Sequence, residues 1–198
     1  MTEFVVHSIP GSPFGRAVLA TLEEKGADYA LQRVAMRTPE HFALHPFGRI
    51  PVLQQGAFRL YETQAILRFL DRVLPEPPLT PADAKSAARM DQLMNVCDWY
   101  LFQGVGSVIG FQRVVGPRLM GLTPDEAAIA AAMPRAHTVF DQLARELGDS
   151  RYFVGGDVTL ADILLASHVD FFRALPEWEP LAGRHPNLAA WLDRMNAR

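Results

Sequence analysis

Apolar and polar residues change period twice along this chain, and the two changes divide it. Phe4-Val5-Val6-His7 is a short β-rich run that Pro10-Gly11 ends. Ser12-Pro13 then has the form of a helix start, serine at the N-cap and proline at the first helical position. The helix from there points Val18, Leu19 and Leu22 toward a core, leaves Glu23, Glu24 and Lys25 outside, and stops at Gly26. Residues 29–34 alternate, with Tyr29 and Leu31 set against Ala30 and Gln32, and predict a strand. Residues 38–47 have no clean period; an irregular segment with about one helical turn is expected. Two short runs, 51–54 and 58–60, flank Gln55-Gly56 as a hairpin. From Thr63, Ile66, Leu67, Phe69, Leu70 and Val73 mark an amphipathic helix. The order β-α-β-irregular-β-β-α is that of a thioredoxin-like α/β unit, βαβ-ββα.

Beyond it the pattern is helical only. Residues 75–82 read PEPPLTPA, and four prolines in that span make a stiff extended connection. The expected division is therefore 1–76, a linker at 77–84, and an all-α domain at 85–198. In the second part Thr80-Pro81-Ala82-Asp83 caps a helix carrying Met90, Leu93, Met94, Cys97, Tyr100 and Leu101. Gly104, Gly106 and Gly110 should interrupt or kink the helical run after Leu101. Thr123-Pro124-Asp125-Glu126 reads as a capping box opening a helix to about Gly148, with Pro134 kinking or dividing it. Thr159-Leu160-Ala161-Asp162 starts the most apolar helix, and Pro186 a last amphipathic one.

Composition narrows the function classes. The 198 residues carry a net charge of −3, so no basic footprint argues for nucleic acid. Cys97 is the one cysteine, which excludes an internal disulfide and fits a reducing compartment. The chain enters Glu3-Phe4-Val5-Val6 without a basic region and long apolar run, and no apolar run is long enough to span a membrane, so a cytoplasmic protein is the expectation. None of the six histidines has a partner at metal-ligand spacing; no metal and no tightly bound cofactor are expected. Cys97, on an apolar helix face, reads as packing.

Two features could carry chemistry. A thioredoxin-type redox protein holds Cys-x-x-Cys at the start of its first helix, and here those positions are Ser12 and Gly15 in Ser12-Pro13-Phe14-Gly15. Disulfide exchange at that place is excluded. What remains is a hydroxyl at a helix N-terminus, which favours anions; a ligand's thiolate is a natural guest, and on Ser12 alone a plain N-cap is the better account. Pro51 opens a strand in Gly48-Arg49-Ile50-Pro51-Val52-Leu53. A cis Ile50-Pro51 bond would turn the Ile50 N–H and C=O toward a peptide-like ligand, although an ordinary strand-entry proline explains Pro51 by itself.

Taken together, Gly11-Ser12-Pro13-Phe14-Gly15-Arg16, Gly48-Arg49-Ile50-Pro51-Val52-Leu53, Glu62-Thr63-Gln64-Ala65-Ile66 and Gly155-Gly156-Asp157-Val158-Thr159-Leu160-Ala161-Asp162 resemble, in order and spacing and over essentially the whole length, a serine-type, bacterial-like cytosolic glutathione transferase. The resemblance implies a detoxification enzyme that binds glutathione as co-substrate and conjugates it to a small hydrophobic electrophile, working as a homodimer. It implies that Ser12 hydrogen-bonds the glutathione sulfur and that Ile50, before Pro51, pairs with the cysteinyl backbone. Glu62 and Thr63 would hold the γ-glutamyl end, the acid taking the ammonium and the helix N-terminus the carboxylate, with Arg49 near the glycyl end. Thr159 and Asp162 match a capping box that serves folding. Candidates for an acceptor pocket, expected between the domains, are Phe14, Trp99, Tyr100, Phe102, Gln103 and Phe111; aromatics at helical spacing are more often core. Phe47 is a candidate subunit contact, Arg16 reads as a solvated helix residue, and Ser8 is a second hydroxyl near the first strand's end.

Departures from the family pattern include His45-Pro46 where Asn-Pro is frequent, Glu-Thr where many members have Glu-Ser, and His7-Ser8 where tyrosine-type members carry their tyrosine. Two rivals stand beside this reading: a non-catalytic interaction module of the stringent-starvation type, and a glutathione-dependent isomerase of the maleylacetoacetate type, whose Ser-Ser-Cys-Ser run is absent here.

Overall fold

The β-rich runs form one four-stranded sheet in the order β2-β1-β3-β4, with β1 at Phe4–Ser8, β2 at Tyr29–Arg33, β3 at Val52–Gln55 and β4 at Phe58–Tyr61. A computed structural model describes residues 4–198, so Glu3, where the N-terminal reading begins, lies outside the described residues. β1 and β2 are parallel, and the crossover that a parallel pair needs is a helix, α1 (Pro13–Glu24). β3 is antiparallel to both β1 and β4. The segment 38–47, expected to be irregular, contains a six-residue helix, α2 (Pro39–Leu44), capped by Thr38, whose Oγ accepts from His41 N–H. α3 (Thr63–Val73) completes the unit, and the thioredoxin-like order is the one observed.

Three local expectations change. Gln55 pairs with Phe58, so the hairpin turn is Gly56-Ala57 rather than Gln55-Gly56; Gly56, at φ +57°, takes the left-handed turn position. β2 shows no buried face: Leu31 is exposed, because β2 is the sheet's edge and the helices cover the strands beside it. Lys25, expected outside, is buried. Its Nζ donates to Asp71 Oδ1 at 2.6 Å and to the Pro77 carbonyl, and Asp71 Oδ1 also accepts from Leu79 N–H at 2.9 Å. Burial pushes the Asp71 carboxyl up, but hydrogen bonds from Lys25, Thr80 and Leu79 N–H outweigh it and hold the group below the usual carboxylate range. This pair ties the proline-rich run, with its cis Glu76-Pro77 bond, to α1 and α3. The chain divides between Pro81 and Ala82.

The core of the first unit is Phe4, Val6, Val18, Leu22, Leu53, Ile66, Leu67 and Leu70, all fully buried. In the second unit α4 (Ala84–Val96) starts on Asp83, which accepts from Ser86 N–H. It runs on without a break into a π-helical stretch, Cys97–Gly106, then α5 (Ser107–Gly110), a second π-helical stretch, Phe111–Val115, and α6 (Gly116–Met120). The glycines do not stop this helix. Cys97, Leu101, Val105 and Ile109 recur every four residues and are all fully buried. An α-helix would turn such a row steadily off the core; a looser winding keeps it there. Gly110 is needed for contact, since a Cβ there would lie 2.8 Å from the Phe171 ring.

α7 (Glu126–Leu147) is capped by Asp125 and not by Thr123: the Asp125 carboxylate accepts from the N–H groups of Ala127 and Ala128. Pro134 does not divide it. Buried Ile129, Ala136, Val139 and Phe140 hold both sides of the proline, and this packing offsets its cost of about 3 kcal/mol. α8 (Leu160–Phe171) opens on the Thr159–Asp162 box, and α9 (Pro186–Asn196) closes the chain. Asp162 is fully buried and accepts four hydrogen bonds, from Thr159 N–H (3.0 Å), Thr159 Oγ–H (2.8 Å), Phe153 N–H (3.0 Å) and Trp191 Nε1–H (3.0 Å). Burial pushes its carboxyl up and the four donors pull it the other way.

His168, one helical turn from Leu164 in α8, is buried and bonds the Leu164 carbonyl through Nδ1 at 2.9 Å. Burial lowers its pKa to about 4. An unfolded chain takes up a proton near pH 6.5 that the folded chain refuses, so this group's stabilisation is full above that pH and is lost as the pH falls toward 4. Between pH 7 and 4.5 the wild type should lose about 2 to 3 kcal/mol more unfolding free energy than His168→Gln, measured by urea titration of both at the two pH values.

Candidate active site

One end of the sheet gathers the candidate residues of the first unit. His7, Val52 and Tyr61 form a row across β1, β3 and β4, since His7 pairs with Val52 and Val52 with Tyr61. All three strands meet the same sheet edge there. β1 leaves toward Ser12, β3 arrives from Ile50-Pro51, and β4 runs directly into Glu62-Thr63. Two strand spacings are about 10 Å, and an extended tripeptide is about as long. The row is tied below by His7 Nε2 and Gln54 Oε1, 3.1 Å apart.

Ser12 is the N-cap of α1, in extended conformation, with its Oγ accepting from Gly15 N–H at 3.2 Å. Ser12 is half-buried, so the hydroxyl sits at the rim of the helix terminus. Phe14 comes next on the first turn, also half-buried, and Arg16 is exposed.

The approach to Pro51 is held by two histidines, His41, which the sequence did not single out, and His45, which it marked only as a departure from the family pattern. His41 is buried; its Nδ1 accepts from Arg37 N–H at 3.0 Å and its Nε2 lies 2.9 Å from the Arg49 carbonyl, which makes Nε2 the protonated nitrogen. One neutral imidazole thus spans from before α2 to the residue preceding Ile50. Gly48, at φ +59°, passes so close to Phe42 that a Cβ would stand 2.8 Å from the ring. His45 is also buried, accepts from Phe47 N–H at 3.2 Å through Nδ1, and lies 4.6 Å, centroid to centroid, from the Tyr61 ring. Burial lowers its pKa, against the opposing pull of Glu62. The Ile50-Pro51 bond is cis, Pro51 is buried, and Arg49 is exposed. Local spacing carries no signal for the three histidine hydrogen bonds, which close over eight residues or fewer but depend on the path of the loop.

Glu62 caps α3 with φ +70°, ψ +112°, a conformation that costs a non-glycine residue about 1–3 kcal/mol. Such a cost persists where the surroundings demand it, and it exposes the Glu62 carboxylate while Thr63 is buried at the first turn. Glu62 makes no side-chain capping bond, so the N-terminus of α3 keeps its field for an anion.

The second-unit candidates divide by exposure. Trp99 and Tyr100 are 67% and 60% exposed and Gln103 is exposed, so they are not core, whereas Phe102 and Phe111 are half-buried. The Phe102 ring stands edge-on to His168 at 6.0 Å. Phe47, in the first unit, is 70% exposed and edge-on to Tyr61. Cys97 is fully buried, and burial raises its thiol well above the usual range, which leaves it packed and unreactive. Among the described residues no group of three His, Cys, Asp or Glu side chains could hold a metal ion, and no helix is long and apolar enough to cross a membrane.

A thioredoxin-like unit with Ser12 and Gly15 where a redox protein carries its cysteine pair, followed by a helical unit, defines the class: a two-unit protein of thioredoxin-like fold that does not exchange disulfides at that place. Known proteins agree with that class. The family descriptions that match are "Glutathione S-transferase, N-terminal domain" over residues 11–73 and "Glutathione S-transferase, C-terminal domain" over 126–194. The chain is 30% identical to a glutathione S-transferase of Hyoscyamus muticus, over 98% of this chain and 93% of that one. It is 31% identical to glutathione S-transferase 3 of Zea mays, over 100% and 91%. Among solved structures, glutathione S-transferase III in its apo form superposes with a TM-score of 0.87 at 30% identity, covering 98% of this chain and 92% of that one. The β-etherase LigF from Sphingobium sp. strain SYK-6 shares the fold at 22% identity (TM-score 0.88, 100% and 96% covered). The chain belongs to the glutathione S-transferase family of enzymes.

Proposed function

We propose that this enzyme binds glutathione along the sheet end formed by Ser12, Ile50-Pro51 and Glu62-Thr63, stabilises its thiolate through the Ser12 hydroxyl, and conjugates it to a small hydrophobic electrophile. The observation that carries the reading is the convergence of three strand ends at that place, one bringing a hydroxyl at a helix N-terminus and another a carboxylate held at positive φ beside a second helix N-terminus. The γ-glutamyl ammonium goes to Glu62 and its carboxylate to the α3 N-terminus at Thr63. The cysteinyl backbone pairs with Ile50, the glycyl carboxylate meets exposed Arg49, and the sulfur faces Ser12. Glutathione is a co-substrate and no cofactor is tightly bound. For the electrophile, Phe14 in the first unit and Trp99, Tyr100, Phe102, Gln103 and Phe111 in the second remain the candidates, each half-buried or exposed within its own unit. A homodimer in the cytoplasm is the working assembly and location.

Calorimetric titration with glutathione, combined with ultraviolet absorbance of the thiolate, tests this reading. One binding site per chain at sub-millimolar to millimolar glutathione, a thiolate band near neutral pH and conjugation of an aryl halide are the expected results. Absence of binding at millimolar glutathione would leave a non-catalytic interaction module. Binding without conjugation, but with isomerisation of a cis-dienone, would leave an isomerase.

A further inference from the structure

Ser8 is the last residue of β1, is 1% exposed, and its Oγ has no hydrogen-bond partner among the described residues. Its place is defined by Gly15. A Cβ on residue 15 would stand 2.2 Å from Ser8 Oγ, 3.1 Å from Ser8 Cβ and 3.4 Å from Ser12 Cβ. The Ser8 hydroxyl therefore fills the space that a side chain at residue 15 would take, beneath the first turn of α1. It lies against the residue whose N–H caps Ser12 Oγ, and Ser12 Cβ bounds the same space. A buried hydroxyl left unpaired costs about 1–3 kcal/mol, and a residue of the proposed reaction, Ser12, borders the same space.

We propose that Ser8 is a positioning residue for Ser12, donating its hydroxyl hydrogen to Ser12 Oγ when Ser12 turns its own hydrogen to the glutathione sulfur; this rests on the reading of Ser12 given above. A serine oxygen has one donor and two acceptor lone pairs. In the free protein one lone pair of Ser12 takes Gly15 N–H. The second lone pair is open, and Ser8 is a buried donor, unpaired among the described residues of the free protein, across the space of the missing Gly15 side chain; the bond between them forms once glutathione is bound. A hydroxyl that accepts a further hydrogen bond is a better donor, by about 10–30% per bond. Gly15 is then part of the device, because any larger residue would displace the Ser8 hydroxyl.

The test is the thiol pKa of bound glutathione, by thiolate absorbance against pH, in wild type, Ser8→Ala, Ser8→Gly and Ser12→Ala, with melting temperature measured alongside. The proposal expects both Ser8 variants to raise the bound thiol pKa by about half a unit, roughly a threefold loss of thiolate below the pKa. Ser8→Ala should melt no lower than wild type, because it removes an unpaired group. A shift in Ser12→Ala with none in either Ser8 variant would overturn the proposal and leave Ser12 in its role. No shift in Ser12→Ala would overturn the reading of Ser12, and the proposal with it. A purely structural Ser8 would move the melting temperature and leave the pKa where it is.

Discussion

Ser12→Ala should raise the pKa of bound glutathione by about one to two units and lower kcat/KM about 10- to 150-fold, with little change in glutathione affinity. The size comes from the energy a thiolate needs. Lowering a thiol from about 8.5 to about 6.5 requires roughly 2.7 kcal/mol of preference for the charged form. A hydrogen bond to a charged partner contributes roughly 1.5–3 kcal/mol, and the N-terminus of α1 adds roughly 0.3–1. Those two are sufficient together, without a metal or a general base, and the alanine variant keeps the helix terminus while losing the larger part. The variant leaves Glu62, Thr63 and the Ile50 backbone unchanged, so on the proposed binding mode glutathione is expected to bind still. Because Ser12 is also the N-cap of α1, the variant loses about 1 kcal/mol of stability as well, seen in urea unfolding. The two readouts are separable: a Ser12 that serves only as a cap would change stability and leave the thiolate absorbance of the complex intact.

The largest effect on stability is expected from Asp162→Ala. Four donors from three separate parts of the second unit, Phe153 before α8, Thr159 at its N-cap and Trp191 on α9, converge on one carboxylate. Truncation leaves all of them buried with no acceptor and opens space beside fully buried Trp191. Each orphaned donor costs about 1–3 kcal/mol, and a domain's whole stability is about 5–15 kcal/mol, so a loss of about 4 kcal/mol or more is expected and the variant should be largely unfolded at 37 °C. Asp162→Asn should be intermediate, since the amide offers one acceptor oxygen where the carboxylate offers two. Circular dichroism and urea titration measure the difference. An Asp162→Ala chain that kept its wild-type unfolding midpoint would show that the four bonds contribute little.

The same residue shows what was legible beforehand. The Thr159–Asp162 spacing identified a capping box, because a cap is decided within four consecutive residues. Trp191, twenty-nine positions further on, carries no such mark in the sequence. Ser12-Pro13, Thr63 and Pro186 likewise located helix starts to within a residue. At α7 two cap residues competed within three positions, and Asp125 prevailed over Thr123 by accepting two backbone hydrogens at once. In the candidate site, Ser12, Ile50-Pro51 and Glu62-Thr63 were nominated from motif order, and the structure puts them at one end of the sheet. The buried imidazoles of His41 and His45, which shape the loop between them, were not, since a histidine among loop residues has no periodicity to betray it.

By itself the sequence determined the succession of strands and helices in the first unit and most helix starts, and it nominated the residues whose chemistry suits a thiolate, all of which depend on neighbours within a turn or on one repeating period. Tertiary structure alone decided which registers put residues 12, 50 and 62 at one sheet end, that Lys25 goes inward to Asp71, that residues 97–109 wind loosely to keep one row on the core, and that Ser8 lies under the helix against Gly15. These are matters of packing and of partners distant along the chain: a lysine is buried only where a carboxylate waits for it, and a glycine becomes necessary only where another residue has come to occupy the space of its missing side chain.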